Sequence, residues 1–415
     1  MARKMKDSGI EWIGEIPEGW EVVPIKRLCT MQAGKNLTSE QIAPEGTYPV
    51  YGGNGIRGFF SDYNCDGQFL TVGRQGALCG NVHKINGKVW ATEHAVITTP
   101  SSYTILDFLY YLLIGMDLNQ YVSSTAAQPG LAVGTLLNLK TCYPCSTLEQ
   151  TQISNYLNTK CSEIDVMLTK TRSSIEEYKK LKQAVITQAV TKGVRGKREM
   201  KDSGVDYIGQ IPAKWVLGKL RNVGDTQNGI SKSSEFFGKG FPFVSYSDVY
   251  KNYSLPFAVS GLVESTPEEQ ERYSVKEGDI FFTRTSETIE EVGFSCVCEK
   301  DIPNATFAGF LIRVRPFSDR LYTPYAKYYF RSTHLRFYLV KEMNLVTRAS
   351  LGQSLLKSMP VLLPPLEEQK EIANYLDAKC AEIDRLIAKK EQLVKELESY
   401  KKGLIYEVVT GKREV

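Results

Sequence analysis

An internal repeat limits this chain more than any other feature. The segment MKDSGIEWIGEIPEGW at 5–20 returns as MKDSGVDYIGQIPAKW at 200–215, an offset of 195 with ten of sixteen positions identical. A second pair, EQTQISNYLNTKCSEID at 149–165 and EQKEIANYLDAKCAEID at 368–384, lies at an offset of 219. The larger second offset places about 24 extra residues between the matched stretches of the second copy. The chain is therefore a tandem duplication whose halves share a frame and differ in the middle. The joints agree: the middle reads GKREMKDSG at 196–204, the end reads GKREV and the start MARKMKDSG, so joining tail to head would nearly recreate the central joint. A pseudo-twofold, almost circular arrangement has this property.

The second matched stretch opens a long run without proline and nearly without glycine. Apolar residues recur in steps of four and three: Leu157, Cys161, Ile164, Leu168, Ile175, Tyr178 and Val185 in one copy, Leu376, Cys380, Ile383, Ile387, Val394, Leu397 and Leu404 in the other. Thr171 and Lys182 break the first seam, Lys390 and Lys401 the second. A 3.5-residue period predicts two coiled-coil helices, each a rod of roughly 65–70 Å that stops at Gly193 or Gly411. The alternative is an amphipathic helix lying on a globular core. Two equal seams in one chain favour pairing with each other, and the globular segment between them favours an antiparallel pair.

Residues 1–145 and 200–363 form two heads, with helices over 146–199 and 364–415. Both heads are rich in glycine, aromatics and β-branched residues in short runs. YPVYGGNG, FLTVGRQG, GNVHKI and KVWATEHAVITTP read as strands and turns in the first, FPFVSYSDV, GDIFFTRTS, GFSCVCEK and FLIRVRP as strands in the second. LDFLYYLLIGMDLNQYV and TPYAKYYFRSTHLRFYLV read as their helices. The expected fold class is α+β: two mixed α/β domains in pseudo-twofold tandem, separated by two long helices that form an antiparallel coiled coil.

Chemistry-bearing motifs are scarce. The methyltransferase signature (Asn or Asp)-Pro-Pro-Tyr and the Walker A loop do not occur, and His83, His94 and His334 cannot make HExxH. GNGIRG at 53–58 matches a dinucleotide fingerprint but runs into FFSDY rather than a helix. Glu-x-Lys at Glu177 and Glu368 lies on the rods, away from any acidic strand. Nine irregularly spaced cysteines suit reduced thiols in the cytosol, and the single CxxC at Cys142 and Cys145 has no partner pair for a metal. No apolar run of membrane length and no secretory h-region occurs. A net charge of +4 is weak evidence for a nucleic-acid partner, since the first head sums to −1 and the second to +2.

The order of head, helix, head, helix, the starts SGIEWIGEIPEGW and SGVDYIGQIPAKW, the helix entry PPLEEQKEIANYLDAKCAEIDRLI and the end YEVVTGKR are similar to type I restriction–modification specificity subunits. YPVYGGNGIRGFF, GRQGALCGNV and WATEHAV resemble stretches of their target-recognition domains. The resemblance implies a non-catalytic, cytoplasmic DNA-binding subunit in which each head reads half of a split, asymmetric site and the helices set the gap. It implies two methyltransferase partners carrying S-adenosylmethionine and methylating adenine N6, and motor–nuclease partners using ATP and Mg for cleavage. No cofactor or metal is expected in this chain. The first helix entry, PCSTLEQ, departs from PPLEEQ, which predicts a different entry. A stand-alone coiled-coil adaptor or nuclease-like effector is the competing reading.

DNA contacts are expected from side chains that can reach base edges or phosphates. In the first head these are Asn54 and Arg57 in the glycine turn, Arg74 and Gln75 in GRQG, and Lys35, Lys84 and Lys88 for phosphates. In the second they are Ser231, Lys232, Tyr246, Arg284, Thr285, Ser286 and Arg348. A plain surface turn or a structural ion pair is the alternative at each. Trp90 and His94 read as core, and the TGKR end at 410–413 as a helix C-terminus.

Overall fold

A computed structural model describes residues 3–75, 79–122, 130–286, 292–342 and 349–415. Contacts divide the chain into two compact units, Met1–Arg172 with Glu391–Val415, and Ser173–Lys390. Each unit combines one head with a part of each long helix. Those helices are Thr147–Lys192 and Leu366–Val409, 46 and 44 residues long.

The heads share one topology. In the first unit an antiparallel sheet runs Cys29–Ala33, Ala95–Pro100, Gln68–Gly73, Val82–Asn86. In the second the order is Gly224–Asn228, Leu311–Pro316, Ile280–Thr283, Ser295–Val297. Each head adds a three-stranded sheet with one parallel pair, Tyr48–Gly52 on Trp90–Ala91 and Phe237–Val244 on Thr306–Phe307. Gly34 and Gly229 hold the two sheets together: a Cβ would strike the carbonyl oxygens of Ala91 and Thr92 in one unit, and of Phe307 and Ala308 in the other. Close backbone approach requires glycine there. Much of the extra length in the second head lies between Val244 and Ile280, where Tyr246–Lys251, Leu262–Val263 and Pro267–Arg272 form.

Three expected elements are shorter than read. The helix from Leu106 ends at Gly115, because Asp117 adopts a left-handed φ of 45° and turns the chain. FPFVSYSDV is strand only to Val244; Ser245 and Asp248 form a reciprocal capping box that starts a helix at Tyr246. TPYAKYYFRSTHLRFYLV is two helices, Thr323–Tyr329 and Thr333–Glu342. Between them the Arg331 guanidinium donates to the carbonyls of Ser295, Val249, Tyr250 and Asn252, which ties the break to the sheet.

The seam residues face inward. Leu157, Cys161, Ile164 and Leu168 join Leu404, Ile405 and Val408 in the first core, with Val394 and Leu397 packed against it. Leu376 and Cys380 join Ile186 and Val190 in the second. Ile175 and Ile383 are buried and Ile387 is half-buried. Within each unit the helix segments run antiparallel. Lys401 Nζ meets Asp165 at 2.7 Å and Arg172 meets Glu398 in the first; Lys182 Nζ meets Asp384 at 2.6 Å and Arg195 meets Glu371 in the second. Lys182 and Lys401 are thus charges with partners across the seam. Lys390 lies over the Tyr178 ring, and the Thr171 hydroxyl donates to its own helix at Met167. Such part-exposed pairs contribute little net stability but penalise a slipped register.

The helix entries are equivalent despite their sequences. Buried Gln150 accepts from Ile105 N and donates to the carbonyls of Tyr103 and Pro144. Gln369 accepts from Tyr322 N and donates to those of Arg320 and Pro364. The expected difference is confined to the residue before the helix, where the Ser146 hydroxyl accepts from Glu149 N and Pro365 offers no hydroxyl.

The neighbouring glutamates tie the two repeated stretches together. Trp20 Nε1 donates to Glu149 at 3.0 Å and Arg3 pairs with the same carboxylate. Trp215 Nε1 donates to Glu368 at 3.0 Å and Arg198 pairs with it. The Glu368 side chain is 4% exposed against 28% for Glu149. Removing one partner of a buried pair costs about 3–5 kcal/mol, and much less where water reaches it. Glu368→Ala should therefore destabilise the chain markedly more than Glu149→Ala in denaturant unfolding.

His334 gives a pH signature. It is buried against Ser332, Nδ1 to Oγ 3.0 Å, and burial pushes its imidazole down to about 3. The unfolded chain takes up a proton below its ordinary value near 6.5 while the folded chain does not, so stability falls as pH drops from about 6.5 towards 3. His334→Asn should flatten the unfolding free energy against pH in that window by up to about 1.4 kcal/mol per pH unit.

Candidate DNA-recognition surface

In each head a strand ends on an arginine held by two backbone hydrogen bonds. Arg74 N donates to His94 O at 2.9 Å, and Leu131 N donates to Arg74 O at 2.9 Å. Arg284 N donates to Phe310 O at 2.9 Å, and Leu351 N donates to Arg284 O at 2.7 Å. The next residues pair in the same way, Gln75 with Gly130 and Thr285 with Ser350. Arg74 and Arg284 are therefore structural equivalents, half-buried, and neither guanidinium has a hydrogen-bond or ion-pair partner among the described residues.

The expected contacts group around these arginines to different degrees. In the first head, the glycine turn packs on the arginine loop, with Gly53 against the carbonyls of Gln75 and His94. Exposed Asn54 accepts from Asn81 at 2.8 Å, and exposed Arg57 lays its stem over Gly52. In the second, Ser231 sits against Gly309, directly beside Phe310. Thr285 and Ser286 are half-buried in the short pairing with Ser350 and Ala349. Arg348 lies outside the described residues.

Other residues are engaged elsewhere. Lys84 Nζ pairs with Asp107 at 2.8 Å, approaches Asn158 at 3.3 Å and stacks on Tyr110 and Tyr111, so it anchors the head to the first long helix. Burial would raise the Asp107 carboxyl, but hydrogen bonds from Lys84 and Asn158 outweigh it and hold that group below its ordinary value. Lys232 donates to Glu264 O and Glu269 at 2.8 and 2.7 Å. Tyr246 stacks on Tyr250 at a helix start. Lys88 covers the Tyr63 ring, whose hydroxyl raises its ammonium pKa. Lys35 is exposed beside Trp90, which is half-buried and donates to Lys35 O.

His94 is a correction. It is not core: its side chain is 37% exposed and pairs with Glu93 at 3.1 Å. The sequence offered no cue to Phe310, 65% exposed at the equivalent place, because the equivalence rests on backbone bonds between distant segments. Of the CxxC, Cys142 is buried with its thiol pushed up to about 12 by burial, while Cys145 is exposed. Among the described residues no helix is long and apolar enough to cross a membrane.

The profile of the type I restriction modification DNA specificity domain matches residues 17–177 and 212–397, most of the chain and both heads. The chain belongs to this family. A type I specificity subunit, MjaVIII of Methanocaldococcus jannaschii, is 25% identical over 96% of this chain and 93% of its own length. EcoKI of Escherichia coli is 23% identical over 90% and 84%. EcoprrI of Escherichia coli reaches 45% identity over a shorter stretch, 28% of this chain and 30% of that relative. A chain from a structure of type I R-M complex assembly shares the fold, with TM-score 0.71 and 16% identity over 96% of this chain and 99% of that one. The HsdS subunit of Thermoanaerobacter tengcongensis matches with TM-score 0.50, 17% identity and coverage of 96% and 98%. This chain is thus a non-catalytic DNA-specificity subunit of the α+β, two-domain kind.

The placement of Lys84 separates structural from phosphate-binding cations. Lys84→Met should lower thermal stability and leave the salt dependence of DNA binding nearly unchanged. Exposed Lys35 should behave in the reverse way: Lys35→Ala is expected to leave thermal stability unchanged and to reduce the slope of log K against log salt by about one.

Proposed function

We propose that this specificity subunit reads a bipartite, asymmetric DNA site, one half-site per head, and directs adenine methylation and cleavage by partner subunits. The observation that carries the proposal is the pair of equivalently held arginines, Arg74 and Arg284, on heads of one topology whose flanking residues differ. An arginine fork reads guanine bidentately, and different neighbours then select different adjoining bases. The two long helices serve as the spacer, and their length sets the gap between half-sites. Two methyltransferase subunits dock on the frame and bring S-adenosylmethionine; restriction motor–nuclease subunits bring ATP and Mg. The near-neutral heads suit a reader that leaves much of the phosphate contact to those partners.

Co-expression with the cognate methyltransferase subunit, followed by sequencing of host DNA for N6-methyladenine, tests this. The expected result is one motif of two unlike blocks at a fixed gap. A soluble, normally assembled complex that leaves the DNA unmethylated would contradict the proposal and favour an adaptor role.

A further inference from the structure

The backbone equivalence of the heads extends past the arginines. Gly34 N donates to Ala95 O, and Gly229 N to Leu311 O; Thr92 N donates to Tyr51 O, and Ala308 N to Val244 O. These bonds overlay 92–95 on 308–311 without ambiguity of register. Thr92 therefore matches Ala308, Glu93 matches Gly309, and His94 matches Phe310. One frame thus presents a carboxylate–imidazole pair in one head and a bare phenyl ring in the other.

The two presentations have opposite chemistry. Glu93 Oε1 pairs with His94 Nε2 at 3.1 Å, and the Glu93 side chain is 36% exposed, so the carboxylate–imidazole pair sits at the surface. Phe310 keeps 65% of its surface in water, next in the ladder to Arg284, whose guanidinium has no partner among the described residues. Gly309, next to Phe310, leaves room for the Ser231 hydroxyl, which a Cβ there would displace.

We propose that Glu93, with His94, and Phe310 are the base-discriminating positions of the two heads. Glu93 accepts from the amino group of a cytosine in the first half-site. Phe310 makes apolar contact with the methyl group of a thymine in the second. This assignment rests on the DNA-reading function proposed above and adds to it the residues and the base chemistry that make the half-sites unlike.

The test uses the full chain assembled with its methyltransferase subunits. A pool of randomised duplexes gives the enriched motif, and duplexes carrying every single substitution of that motif then measure discrimination. Phe310→Ala is expected to lose about tenfold or more discrimination at one thymine in one half-site. Phe310→Leu should retain part of it. Uracil in place of that thymine should weaken the unaltered complex and leave Phe310→Ala unaffected. Glu93→Gln should lose discrimination at one cytosine in the other half-site. Unchanged discrimination, or a uniform loss of affinity on all sequences, in either variant would overturn the assignment. A motif absent from the unaltered complex would instead contradict the DNA-reading function beneath it. Phe310 is exposed, so its truncation leaves the core intact, and thermal melting of each variant checks this.

Discussion

Much of each unit hangs on a glutamate at the start of a long helix, buried in the second unit and half-buried in the first. Glu368 accepts from the Trp215 indole and pairs with Arg198, while Glu149 does the same with Trp20 and Arg3. A carboxylate taken out of water needs such partners to be tolerated. Its two donors lie in and just before the repeated stretch that opens each head, and the next residue, Gln150 or Gln369, binds the backbone just before the head's helix. Head and helix are thereby fixed in one geometry. This accounts for where the duplication stays legible: the stretches that match are those that touch. The middle of each head, facing no such demand, is free to differ.

The same logic explains the seam. Apolar residues at 3.5-residue spacing would tolerate slippage by a heptad, since one leucine packs much like the next. Lys182 and Lys401 break the pattern, and each finds an aspartate, Asp384 or Asp165. The four residues are related by the repeat itself, so each unit carries one copy of the same register mark.

The long helices, their glycine ends, the pairing of seams and the α+β heads were legible in the sequence because they follow from local pattern and periodicity. Arg74 stood out as a candidate through its glycine-flanked turn and Arg284 through its place directly after an apolar strand, but their equivalence shows only in the backbone bonds. What was not legible depends on contacts between distant segments. The engagement of Lys84 by Asp107 and Asn158, the break at Arg331 and the exposure of His94 are of this kind. The capping box at Ser245 and Asp248 was local and could have been found from its spacing. The match of His94 with Phe310 could not, because insertions shift the numbering between the heads and only the backbone bonds restore it.

Equivalent arginines on one backbone frame are proposed to serve two unlike half-sites. The most direct measurement is the methylated motif produced by Arg74→Ala and by Arg284→Ala, each assembled with the same methyltransferase partner. Each substitution is expected to relax one position, in a different half-site, and to leave the gap unchanged. Relaxation of the same half-site by both, or of neither, would contradict it.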